Sequence, residues 1–296
     1  MLFVFIGASS YGFLPPFAKL AFADGFSIGQ VNGSQNLFAA LLMWILATIM
    51  GGREKVSVKQ FAQLLLVGAT IGVTGYLYYR SLAYLSVSLS TVVQFQFIWI
   101  GILIEAVLNR QRPSNAKLLA IALLLIGTVF AAGVLDTDVS QYSLFGILLA
   151  FLSAITYAMY FFFSGKIATE LKIWKRSAII VTGSGLFISI MYPPVYLVDG
   201  TLLDGLLFWA LILAVFGSAL PAVCLNLGIP RVGVGLSTII GAAELPSAVF
   251  FSSVIVHESV TALQWLGICI IMFGIAVPEL FSRTKKMVQH ESQAKA

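Results

Sequence analysis

One ionisable side chain in this sequence stands deep inside an apolar run. The stretch GLSTIIGAAELPSAVF, residues 235–250, carries Glu244 near its middle. A carboxyl group in such surroundings can bind and release a proton, hold a cation or ammonium group, or lie neutral against a neighbouring helix. Two residues on, Pro246 has no N–H to donate and clashes with the preceding turn, which frees the carbonyl near Ala242 to face a cavity. Pro221, the pair Pro193 and Pro194, and the pair Pro15 and Pro16 sit in other apolar runs, where each can expose backbone or only kink a helix.

Neutral polar sets accompany the acid. In GQVNGSQN, residues 29–36, Asn32 and Asn36 are four apart and share a helical face, with Gln35 beside them. They can bind a polar solute or bond helix to helix. In SLSTVVQFQFIWIGIL, residues 88–103, Thr91 and Gln94 are three apart and can face one cavity, while Gln96 points elsewhere; Trp99 completes this set. If 88–103 and 235–250 flank one site, one half offers neutral amides and the other a titratable acid. Such a site can hold one polar solute and one proton. Tyr76, Tyr78, Tyr79 and Arg80 close another apolar run, and Tyr11, Tyr157 and Tyr160 lie within two more. These tyrosines are either interfacial anchors or cavity walls. Arg80 either binds an anionic group or snorkels to water. Glu105 and Glu279 read as interfacial, and Glu258 as a cap for the next helix.

Catalytic constellations are scarce. His257 and His290 are the only histidines, no His-Glu-x-x-His pair occurs, and there are no paired intramembrane aspartates, so an intramembrane enzyme is a remote reading. There is no Walker A loop to bind ATP. Cys224 and Cys269 lie in separate apolar runs and imply no disulfide or metal framework, and no cofactor is called for.

The elements that must position these residues follow from composition. The chain is 59% hydrophobic and 10% charged, against about 25% charged in a soluble domain. It divides into ten apolar runs of roughly membrane-crossing length: 2–22, 30–50, 61–80, 86–108, 115–134, 143–163, 177–197, 207–228, 233–256 and 261–281. Helices are expected, since lipid offers no partner for a free amide. The alternation of a spanning barrel is absent. The net charge of +5 is distributed against a nucleic-acid surface: 15 of the 17 basic residues fall on one side of the ten runs, and Lys19 and Arg80 are the exceptions. Asp24, Asp136, Asp138, Asp199, Asp204 and Glu258 fall on the other. The positive-inside rule places the basic side and both termini in the cytoplasm, which agrees with an even number of spans. The first run has no basic leader and reads as a retained span.

Displaced by 147 positions, the chain matches itself. Leu89-Ser90-Thr91 falls on Leu236-Ser237-Thr238, Lys19-Leu20-Ala21 on Lys166-Ile167-Ala168, Ala120 on Gly267 and Gly127 on Gly274. The pattern predicts an all-α integral membrane protein of ten helices, built as two five-helix repeats. Five being odd, the second copy is inverted, as in secondary transporters whose sites lie at mid-depth between the repeats. The repeats take residues 1–137 and 138–282, joined near LDTDVSQY at 135–142, with a charged, disordered cytoplasmic tail at 283–296 and one folding unit overall. The spacings Gly68/Gly72, Ala120/Gly127 and Gly267/Gly274 predict close helix contacts.

The run from Ser237 to Gly274, with Glu244-Leu245-Pro246, Glu258, Gln264, Gly267 and Gly274, is similar to the last two helices of the EamA family of the drug/metabolite transporter superfamily. Lys19-Leu20 also fits, and the resemblance covers nearly the whole chain. Trp99 stands where a proline is usual and Gln111 where a glutamate is usual. The resemblance implies helices one to four and six to nine around a central cavity, with five and ten peripheral. It implies efflux of a small metabolite, an amino acid or other amphipathic compound, driven by or exchanged for protons. A passive facilitator or channel is the alternative. The expected setting is the cell membrane, with a small-molecule substrate and lipid as partners; a homodimer is left open.

Overall fold

The apolar runs fold as helices, each satisfying its own backbone. In this computed structural model, which describes residues 1–52, 54–85, 87–110, 112–133, 143–257 and 259–294, no described residue is in a strand. Gln111, the linker at 135–142 and Glu258 lie outside the described residues, as do the side chains of the basic tail beyond Phe281.

The order is α1 Leu2–Tyr11, α2 Leu14–Ala23, α3 Ile28–Met50, α4 Val58–Ser81, α5 Val87–Gln94, α6 Phe97–Asn109, α7 Asn115–Ala131, α8 Leu144–Lys166, α9 Ile173–Met191, α10 Leu207–Ala214, α11 Leu220–Val232, α12 Val234–Gly241, α13 Glu244–Ile255 and α14 Ala262–Ala294. Eight helical segments among the described residues are long and apolar enough to cross a membrane: 28–50, 58–81, 89–109, 144–166, 173–191, 202–232, 234–255 and 262–281. The other two expected spans are less regular. The first is divided at Gly12 and Phe13, just ahead of Pro15 and Pro16, and the fifth is α7, apolar but only 17 residues long. Sequence-local signals set several starts. Ser27 with Gln30 and Ser57 with Gln60 form capping boxes on α3 and α4, and Ser114 and Ser143 cap α7 and α8.

Two helices are kinked at matching places. α5 gives way to α6 across Phe95 and Gln96, and α12 to α13 across Ala242 and Ala243. The starts at Phe97 and Glu244 stand 147 residues apart, the displacement that also superposes Leu89 on Leu236. At both kinks the backbone tightens to i→i−3 bonds, with Gln96 N donating to Val93 O at 3.2 Å and Ala243 N to Ile240 O at 3.0 Å.

Prolines within spans free carbonyls, and in two cases a side chain from another helix supplies a new donor. Pro221 cannot serve the carbonyl of Gly217, which lies in a π-helical turn at Val215–Ala219. Gln35 Nε2 donates to that carbonyl at 3.2 Å, and Ser10 Oγ donates to Phe216 O at 2.5 Å. Pro230 cannot serve Asn226 O, and Arg176 Nη1 donates there at 2.8 Å. The same guanidinium donates through Nε to Ile167 O at 3.1 Å and through Nη2 to Ser164 O, so one side chain that is 1% exposed ties the ends of α8, α9 and α11 together. Pro246 corrects an expectation. The Ala242 carbonyl accepts from Leu245 N at 3.3 Å and Ala242 is fully buried, so the freed group closes on its own turn and does not face the cavity described below. Pro193 and Pro194 also differ from expectation: α9 stops at Met191, and they end it without kinking it.

Glycines bring helices to backbone contact where the small-residue spacings predict it. A Cβ on Gly68 of α4 would lie 2.9 Å from Gly183 Cα of α9, and one on Gly267 of α14 would lie 2.7 Å from Gly127 O of α7. α7 and α14 accordingly lie along each other, and α4 lies against both α8 and α9. α14 runs on to Ala294, so the tail read as disordered is helical in its backbone. Its Lys, Met, Gln, Glu and Ala are good helix formers, and extension from an existing helix avoids nucleation.

Removing the Arg176 donors leaves two buried carbonyls and one partly buried carbonyl unserved. Arg176→Met is expected to destabilise the protein by about 3 kcal/mol, measured by thermal unfolding in detergent. Adding Pro230→Ala, which restores an N–H to Asn226 O, should recover about 1 kcal/mol of that loss.

Candidate functional site

A cavity of about 660 Å³ runs into the middle of the helices. It reaches one end of the molecule, where Phe22, Leu82, Ser259 and Gln264 line its mouth. None of the described lining residues comes from the opposite end. There Lys117 Nζ and Glu105 Oε2 form an ion pair at 2.6 Å. Between that pair and the cavity, Phe97 and Phe161 are fully buried and stacked at 5.6 Å, and Thr238 Oγ1 donates to Ile98 O at 3.3 Å, joining α12 to α6. α7 and α14, expected to be peripheral, touch the cavity only at the mouth, through Ala131, Ala132 and Gln264.

Glu244 lines the cavity at the first residue of α13. The kink places its carboxylate at the amino end of a helix, where the helix dipole favours negative charge. Tyr157 Oη donates to Glu244 Oε2 at 3.0 Å. Tyr11 stands edge-on to Tyr157 with ring centroids 6.5 Å apart, and Tyr160 lies parallel to Tyr157 at 6.4 Å. On the α4 and α5 wall, Tyr78 Oη and Thr91 Oγ1 are bonded at 2.9 Å and Gln94 lines the cavity beside them.

The amides of α3 face the cavity from the other side. Asn36 Nδ2 donates to Asn32 O at 3.0 Å and to Asn32 Oδ1 at 2.8 Å, and Ser184 Oγ of α9 donates to Asn36 Oδ1 at 2.9 Å. Gln35 Nε2 is held by Gly217 O and by Ser218 Oγ at 3.0 Å. Its amide nitrogen therefore braces the π turn while the residue still borders the cavity. Asn32, Gln35 and Asn36 are all more than nine-tenths buried.

The sequence candidates thus divide. Glu244, Tyr157, Tyr11, Tyr78, Thr91 and Gln94 meet in one cavity, joined by the three α3 amides and by Pro15. Arg80 does not line it: with Tyr78 and Tyr79 turned inward, the next residue around α4 is exposed. Trp99 is outside as well, its Nε1 donating to Gln96 Oε1 at 2.7 Å. Pro246 and Pro221 are buried and act through the shape of their helices, not as lining. Ser184 and Ser218 belong to the site and were not singled out. Their only sequence signal is a hydroxyl within an apolar run, which many structural serines share.

A family model described as the EamA-like transporter family matches residues 1–133 and 144–278. The chain belongs to the EamA-like transporter family. This EamA-like chain is therefore a multi-pass membrane protein of a transporter family within the drug/metabolite superfamily, not a member of an enzyme family. A solved crystal structure resembles it with a TM-score of 0.76 over 96% of this chain and 97% of the other, at 16% identity, a likeness of fold alone. No curated protein matches.

The one-ended cavity makes a labelling prediction for this EamA-like protein. With Cys224 and Cys269 replaced by alanine, Ser252→Cys and Gln264→Cys are expected to react with a membrane-impermeant thiol reagent added at the mouth side. Thr238→Cys, at a fully buried position beyond the cavity floor, should stay unmodified from the mouth side. Mass spectrometry of the labelled protein reads the outcome.

Proposed function

We infer that this protein is a secondary active transporter that exports a small metabolite, an amino acid or other amphipathic compound, by alternating access. The observation carrying this reading is Glu244: a carboxylate at a mid-span kink, bonded to Tyr157, in a cavity open at one end. A carboxyl group so placed can exchange a proton or a cationic group with whatever enters. The closed end favours alternating access over a continuously open pore, which argues for coupled transport above a channel.

The ten-span, inverted-repeat reading goes with it. The divided helix α1–α2 and the short α7 would be the first and fifth spans. Pairwise contacts support a two-fold relation: α4 on α9 is mirrored by α3 on α10, and α1 on α11 by α8 on α4. The equal spacing of the two kinks supports it further. The positive-inside rule puts Lys117, Arg110 and both termini in the cytoplasm, so the cavity mouth faces outward and this is an outward-open state. The cell membrane is the expected location. One chain encloses the whole cavity, so the reading requires no second copy.

Counterflow in proteoliposomes tests it. Vesicles preloaded with an unlabelled amino-acid mixture should accumulate external ¹⁴C-labelled amino acids transiently. Glu244→Gln is expected to keep the wild-type melting temperature and to lose most of this accumulation together with any dependence on a pH gradient. Full accumulation by Glu244→Gln with an unchanged pH response would remove the coupling role.

A further inference from the structure

Asn32 lines the cavity and is 8% exposed, yet its amide nitrogen has no hydrogen-bond partner among the described residues. The orientation of that amide is fixed by a chain that starts on another helix. Ser184 Oγ donates to Asn36 Oδ1, and Asn36 Nδ2 donates both to Asn32 Oδ1 and to the Asn32 backbone carbonyl. A carbonyl can only accept, so Asn36 must direct its nitrogen at Asn32. Asn32 must then answer with its oxygen, and its two N–H groups are left over. Reversing Asn36 would set oxygen against oxygen, and reversing Asn32 would set nitrogen against nitrogen. A buried donor with no acceptor is costly, and one kept in a native structure calls for an explanation, of which a bound partner is one.

We propose that Asn32 is a specificity residue that supplies its N–H groups to an acceptor oxygen, carbonyl or carboxylate, on the transported molecule. The proposal rests on the transporter reading and deepens it. Glu244 accepts from Tyr157 and serves the opposite chemistry, a donor or cationic group. A molecule bridging the two carries an acceptor oxygen at one end and a protonated or N–H group at the other, with an apolar body against the tyrosines. Ser184 and Asn36 are positioning residues: they hold Asn32 and need not touch the ligand. Phosphate-like dianions fit poorly: among the described lining residues Lys19 is the one cationic side chain, no arginine fork is present, and Glu244 would repel them.

Three probes that share one apolar body and one amine decide it: L-leucine with a carboxylate, L-leucinamide with a neutral carbonyl, and 3-methylbutylamine with neither. Binding to the full-length protein in lipid nanodiscs is read as displacement of ³H-leucine. Leucine and leucinamide are expected to compete at least about ten-fold better than 3-methylbutylamine, and the better of the two tells whether the oxygen sought is charged. Asn32→Ala should level the three. Asn32→Asp, equal in size and so a guard against misfolding, should reverse the order and favour the bare amine. Ser184→Ala should narrow the preference while leaving Asn32 in place. Glu244→Gln should weaken all three and keep their order, which separates failure of this proposal from failure of the coupling role. Equal competition by 3-methylbutylamine in the wild type, an unchanged order in Asn32→Asp, or no saturable leucine binding would each overturn the assignment; the counterflow test above would stand independently of all three.

Discussion

A carbonyl without a donor has no remedy in lipid, and that constraint governs this structure. Each unsatisfied backbone group at membrane depth costs several kcal/mol, yet the chain places prolines inside its helices. The consequence is a set of side chains whose first duty is repair. Gln35 serves the carbonyl that Pro221 abandons, and Arg176 the one that Pro230 abandons. Each repair crosses from one helix to another, so the break in one element becomes the bond that fixes its neighbour. Arg176 goes furthest, because a planar group with five donors can reach three carbonyls at once. A buried guanidinium with no carboxylate bonded to it among the described residues is then explained by the partial charges at helix ends.

The same rule shapes the cavity. Gln35 both borders it and braces the π turn that forms part of its wall. Ser184 borders it and steadies Asn36. Polar residues facing the cavity are thus anchored on their outer side to backbone or to other side chains, which limits how they can turn toward a ligand. A wall built this way selects by orientation as well as by composition. Its rigidity also bears on motion. The elements that keep the far end shut are few: an ion pair, a Thr238 bond and a stack of phenylalanines. Closure there depends on contacts that can part without unmaking the repairs elsewhere.

Much of this was legible in the residues. Apolar length gave the helices, the 147-residue self-match paired two segments that both prove to be kinked, and an acid in an apolar run pointed to the cavity. What escaped did so for physical reasons. Pro246 was expected to bare a carbonyl, but tightening by one residue let Leu245 take it, a local choice that spacing does not encode. Arg80 follows two inward tyrosines, and only the rotation of α4 decides which way each points. Arg176 read as one more basic residue in a linker, although it is among the most deeply buried side chains in the protein. Its partners come from three helices, and no sequence pattern joins them. Ser184 was invisible for the same reason.

The unequal segments 88–103 and 235–250 can now be compared at one position. Glu244 begins α13 and Phe97 begins α6, and the 147-residue displacement superposes them. Both meet Tyr157. Its hydroxyl donates to Glu244, while its ring lies 4.6 Å from that of Phe97. Phe97 in turn stacks on Phe161 beneath the cavity and is fully buried. A second acid at Phe97 would stand close to the first, and mutual repulsion would work against a single ionised group. An apolar ring there instead separates the carboxylate from the closed end. Of two positions 147 residues apart, one therefore holds the charge and the other the seal beneath it, with Tyr157 touching both. The difference between these two positions leaves one carboxylate in the cavity, held by the Tyr157 hydroxyl.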